Sequence, residues 1–152
     1  MTAPMPDFDI IQALQDRDDK RAYELSKELI NLSASSPELY GLLDDFLKLL
    51  SHKSSFVRTR GFALCCAQAR WDEQGKLAAA LPVMLSALQN EKPTAVRGCI
   101  AALKDAVRLR PELGAELKKW AESFDTSMYK DSMAPLIDRD LISLLKLIDE
   151  LN

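Results

Sequence analysis

The chain has 152 residues, 47% of them hydrophobic and 28% charged, with a formal net charge of −3 and a pI near 5.2. A chain of this length makes one domain, and the composition excludes a disordered or low-complexity protein. The acidic balance argues against bulk binding to nucleic acid or to a membrane surface, both of which need clustered positive charge.

Five Gly and seven Pro are too few for a turn-rich all-β fold. The three Cys (Cys65, Cys66 and Cys99) are odd in number and two are adjacent, so no disulfide framework is implied. Met1 to Ile10 carries neither a basic residue nor a long apolar run, and no stretch reaches the roughly 20 apolar residues of a membrane helix. The expectation is a soluble, reduced, cytoplasmic domain without membrane contact.

In chain order, apolar residues recur at helical spacing. Ala22, Leu25, Leu29 and Leu32 form the first stripe. Leu39, Leu42, Leu43, Phe46, Leu47 and Leu50 form the second, with Ser36 placed to cap it and Pro37 at its first position. Leu77, Leu81, Leu85 and Leu88 follow, then Val96, Ile100, Leu103 and Val107. Pro111 interrupts the pattern, and a further helix pair spans Glu112–Phe124 and Ala134–Leu151. No run alternates long enough to predict a strand, so the fold class predicted is all-α.

Sliding the chain by 39 positions brings Leu42–Trp71 onto Leu81–Arg110, and eight of the 30 pairs are then identical. Among them are Leu42/Leu81, Lys53/Lys92, Val57/Val96, Arg58/Arg97, Ala63/Ala102 and Leu64/Leu103. Each copy reads as an apolar helix, a short polar turn, and a second helix opened by Val-Arg.

A helix pair repeating at about 40 residues resembles the HEAT/armadillo period. Leu81-Pro82-Val83-Met84-Leu85 and Val96-Arg97-Gly98-Cys99-Ile100-Ala101-Ala102-Leu103 look like the two helices of a HEAT repeat, and Phe56-Val57-Arg58 with Ala63-Leu64 is similar. The resemblance covers residues 37–110. It implies a short right-handed α-solenoid of about four helix pairs in a single domain, at 7–35, 36–72, 73–110 and 111–152, with irregular capping pairs. It also implies that Pro82 bends its helix rather than ending it. The family's turn carries an Asp that pairs with the Arg of a neighbouring repeat. Here Glu91 offers a carboxylate in one turn, and Ser51-His52-Lys53 offers none.

Nothing in the sequence assembles a catalytic centre, a metal site or a cofactor site. His52 is the single His and sits in a polar turn. Cys65 and Cys66 diverge by about 100° on one helix, and Cys99 has no ligand nearby in sequence. The five glycines are scattered singly rather than forming a phosphate loop. Gly61 and Gly98, inside predicted helices, are expected to mark close helix–helix approach.

Charge is divided unevenly. Ser55–Trp71 and Thr94–Arg110 carry +3 each, which leaves −9 on the other residues. In HEAT-like arrays the second helices line the concave binding face. On that basis Arg58, Phe62, Arg97, Lys104 and Arg108 are expected to form a shallow basic strip. The competing reading gives Arg58 and Arg97 a bonding role between repeats and puts Phe62 in the core. The expected function is a non-enzymatic interaction or scaffold module holding an acidic peptide or protein surface. The alternative is a nucleic-acid binder or DNA glycosylase-type enzyme of HEAT-like fold, suggested by Trp71, Trp120 and Asp105. The apolar C-terminal stripe from Leu136 to Leu151 is expected either to cap a monomer or to support a weak dimer.

Overall fold

A computed structural model describes residues 9–152; Asp7 and Phe8, where the first expected helix pair begins, lie outside them. Among the described residues the fold is all-α, with no strand. Its helices are α1 (Ile10–Ala13), α2 (Asp19–Ser33), α3 (Leu43–Lys48), α4 (Ser55–Ala67), α5 (Lys76–Ser86), α6 (Pro93–Leu109), α7 (Gly114–Ser123) and α8 (Ala134–Leu151). Short 3-10 turns link several of them.

Helix starts follow the local chemistry. The Asp9 carboxylate accepts from the Gln12 N–H at 3.0 Å and Asp18 from the Arg21 N–H at 3.2 Å, satisfying amides that have no intrahelical partner. Asp72 does the same for α5, accepting from the N–H groups of Lys76 and Leu77 at 3.0 and 2.9 Å. Tyr40 donates its hydroxyl to that same carboxylate; burial first, and this bond second, push the phenol up to about 12. The helix expected from Pro37 starts late. Ser36 accepts from Glu38, but Tyr40–Leu42 is a 3-10 turn containing the helix-poor Gly41, and α3 begins only at Leu43. Helix α5 runs through Pro82 without interruption.

The even-numbered helices pack in succession, α2 on α4, α4 on α6 and α6 on α8. The odd-numbered ones lie against them: α3 on α4, α5 on both α4 and α7, and α7 on α8. Helix α4, touched by α2, α3, α5 and α6, is therefore buried around most of its circumference. Phe46, Phe62, Leu64, Leu103, Leu117 and Leu144 are among the fully buried side chains, each contributing about 2 kcal/mol through the water it gives up.

The two helical glycines behave differently. A Cβ on Gly61 would stand 2.7 Å from the Leu49 Cβ and 3.0 Å from the Phe46 carbonyl oxygen, so Gly61 is where α4 meets the end of α3. Gly98 is exposed with open space above it, and the expected close approach is absent there. The C-terminal stripe turns inward: Ile137, Leu141, Leu144 and Ile148 are buried, while Ile142 is the large apolar residue of α8 left exposed.

Candidate interaction face

The expected basic strip depends on how α4 is rotated, and α4 presents a different side. Phe62 is 1% exposed and Cys65 is fully buried. Phe62 therefore belongs to the core and offers no surface aromatic. Because α4 is enclosed by four helices, only a narrow face remains, carrying Phe56, Ala63 and Ala67, with Arg70 in the 3-10 turn just beyond.

Most of the cations on α4 and α6 are engaged within the fold. Arg58 reaches the turn before α6, donating from Nε and Nη2 to the two Glu91 carboxylate oxygens at 2.7 and 3.0 Å, and from Nη1 to the His52 carbonyl at 2.8 Å. It ties α4 to the turn before α6 and is not a free strip residue. Burial alone would raise the Glu91 carboxyl, but hydrogen bonds from Arg58, the Lys92 N–H and Ser55 outweigh it and hold the group below its ordinary value. Asn90, in a left-handed conformation at φ 65°, turns the chain so that Glu91 points inward.

Three more arginines make similar ties. Buried Arg60 donates to the Leu14 carbonyl at 3.0 Å and pairs with Asp19 at 3.3 Å, joining α4 to the end of α1 and the start of α2. Arg97 pairs with Asp140 of α8 at 2.7 Å. Arg110 donates to the carbonyls of Ala69 and Arg70 beyond the end of α4. Of the remaining strip residues, Lys104 donates to the Ser143 hydroxyl at 2.6 Å and Arg108 pairs with Asp105, one turn back on α6, at 3.0 Å. Among the described residues, Arg70, in the 3-10 turn after α4, has a side chain that makes no hydrogen bond or ion pair. Lys104, bonded to a neutral hydroxyl, also keeps its charge uncompensated.

The expected strip is therefore split. Arg97 and Lys104 bond to α8 and Arg108 pairs with Asp105 on α6 itself, whereas Arg58 is tied to Glu91 and Phe62 is buried in the core. What α2, α4 and α6 share is a shallow groove of about 280 Å³. Its lining includes Ile30 from α2, Ala63 and Ala67 from α4, Arg70 from the 3-10 turn after α4, and Ala101 and Asp105 from α6. The Ala63/Ala102 identity between the two sequence copies was the available signal, since both residues line this groove.

Other candidate chemistry lies elsewhere. All three thiols are buried, and burial pushes Cys99 up to about 12 and raises Cys65 and Cys66 as well, the opposite of an activated nucleophile. The His52 Nδ1 accepts from the Ser54 N–H at 3.0 Å, a turn contact. Trp71 gives its indole N–H to the Ser33 carbonyl at 2.6 Å. Asp105 lines the α2–α4–α6 groove and Trp120 a different one, so these two do not form a common site. Among the described residues no cluster of His, Cys, Asp and Glu could hold a metal ion, and no helix is long and apolar enough to cross a membrane. No protein-family model matches the chain, and no curated protein or solved structure shows significant similarity to it.

Proposed function

We propose that the protein is a non-enzymatic interaction module, a short α-solenoid of HEAT-like helix pairs whose even-numbered helices hold an apolar, acid-bearing segment of a protein partner. The observation that carries this reading is the α2–α4–α6 groove. Its alanine floor admits close approach of another chain, and Arg70 stands on it without an internal counter-charge. An acidic side chain on the partner gains a charge-assisted hydrogen bond there, and Lys104 offers another toward α8.

The array reading is supported by the succession of neighbours from α2 to α8 and by the Arg58–Glu91 and Arg97–Asp140 ties. The Arg58–Glu91 tie, with its acid in the turn before α6, is similar in position to the Arg–acid pairing of HEAT repeats, whereas Asp140 lies within α8. A monomer is favoured by the inward turn of the α8 stripe, which leaves Ile142 as its large exposed apolar side chain. Three free, buried thiols fit a reducing compartment, and the cytoplasm is the location proposed.

The test is affinity capture from native extract, with and without nuclease, comparing the wild type with the Arg70→Glu/Lys104→Glu variant at matched helicity. A protein that survives nuclease and falls on the order of tenfold with the variant supports the reading, as expected for losing a charged contact at an interface. Recovery that depends on nucleic acid overturns it.

A further inference from the structure

The row of odd-numbered helices carries a second groove, which shares no residue with the first. It measures about 420 Å³ and lies between α5, α7 and the segment that follows α7. Its apolar floor is Leu85, Trp120, Phe124 and Met128, with the Trp120 and Phe124 rings tilted against each other at 5.0 Å. Met128 is 51% exposed, so much of that apolar surface faces water. The wall made by the chain after Phe124 is held at both ends. Tyr129 donates to the Glu91 carbonyl at 2.7 Å, and Thr126 to the Asp138 carboxylate at 2.8 Å. A groove braced in this way needs little ordering when a ligand arrives.

Its rim is acidic, whereas the first groove is lined by one cation, Arg70, and one carboxylate, Asp105. Glu116 and Asp125 stand on the rim against Lys119 alone, within a chain whose residues outside the two basic helices sum to −9. The Asp125 carboxylate accepts from the Ser127 N–H at 2.9 Å, which fixes it in place. Ser86 and Gln89 lie on the opposite edge. The Gln89 amide is both donor and acceptor, which suits an extended backbone. A helix has already satisfied its own backbone groups and gains nothing from it.

We infer that this groove is a docking site for an extended peptide segment of a protein partner, with an apolar side chain seated on Trp120 and Phe124 and a neighbouring Arg or Lys held by Glu116 and Asp125. The aromatic face of Trp120 gives a guanidinium a second favourable contact. With an acid-bearing partner in the α2–α4–α6 groove and a basic one here, the protein joins two partners of opposite charge.

The test uses the full chain and two synthetic peptides of equal length, Gly-Ser-Arg-Leu-Arg-Leu-Ser-Gly and Gly-Ser-Glu-Leu-Glu-Leu-Ser-Gly, titrated to millimolar concentration at low salt and followed by two-dimensional amide and indole NMR. The basic peptide is expected to shift the Trp120 indole and the Ser86, Gln89 and Ser123 amides, and the acidic peptide to leave them in place. Trp120→Ala weakens the basic peptide on the order of tenfold or more, as for an aromatic anchor at an interface. Because that change also touches the core, exposed Glu116→Lys is the second variant, and it reverses the preference toward the acidic peptide. Equal shifts from both peptides, shifts confined to the α2–α4–α6 groove, or no shift overturn the inference. Shifts that depend on protein concentration without peptide also overturn it, because a second copy then fills the groove.

Discussion

Helices α4 and α6 are the best-matched pair in the sequence, yet the fold uses them differently. Both open with Val-Arg and both carry +3 with their flanking residues. Helix α4 has neighbours on four sides, so Arg58 meets a buried carboxylate and Phe62 fills the core. Helix α6 keeps an open side, where the Arg97–Asp140 pair is 41% and 24% exposed. The matched Arg58 and Arg97 thus occupy equal positions, and the helices surrounding each decide how deeply its ion pair is buried.

The largest expected effect is at Glu91. Glu91→Ala strips Arg58 and Ser55 of their buried acceptor and is expected to cost about 3 kcal/mol by urea denaturation. Asp140→Ala, the matched change for α6, is expected to cost under about 1 kcal/mol because water replaces the lost partner. Equal losses at the two positions break the comparison.

Acid sharpens it. The folded Glu91 carboxyl sits below its ordinary value of 4.5, so the stability it contributes is fully present above that pH and disappears as pH falls through the lower folded value. Glu91→Gln is expected to flatten the loss of stability below about pH 4.5 in an acid titration followed by circular dichroism.

The glycines extend the contrast. Gly61→Ala drives a methyl into Leu49 and the Phe46 carbonyl, with an expected loss of about 2 kcal/mol. Gly98→Ala meets open space on an exposed helix face and is expected to raise stability by up to about 1 kcal/mol. Thermal melts of the two variants should move in opposite directions.

The smallest effect tests the surface. Arg70→Glu is expected to change stability by less than about 0.5 kcal/mol, since its exposed side chain has no internal hydrogen bond or ion pair to lose. A marked drop in melting temperature shows Arg70 to be structural and removes it from the interaction face.

Much of the fold was legible. The last two expected helices, Glu112–Phe124 and Ala134–Leu151, contain α7 and α8, because Pro111 and a strong 3.6-residue period mark them plainly. The 39-residue self-match located α4 and α6. The candidate face was less legible. Arg97 and Lys104 bond to α8 and Arg108 to Asp105 on its own helix, while Arg58 is tied to Glu91 and Phe62 is buried. The seven-residue spacing of Val57 and Leu64 identifies one buried side of α4 and says nothing about the others. Gly98 misled because a glycine inside a helix looks the same in sequence whether or not a neighbour lies above it. Arg70 was passed over because its isolation appears only once the other arginines have found their partners.

Helical period, capping residues and the repeated Val-Arg are properties of near neighbours in the chain, and the sequence by itself determined them: an all-α protein with two kindred basic helices. Which faces stay open, and which cations keep a free charge, depend on residues 33 to 46 positions apart, such as Arg58 with Glu91, Arg60 with Leu14 and Arg97 with Asp140. Only the tertiary structure decided those, because an ion pair or a buried face exists only when a second helix arrives to complete it.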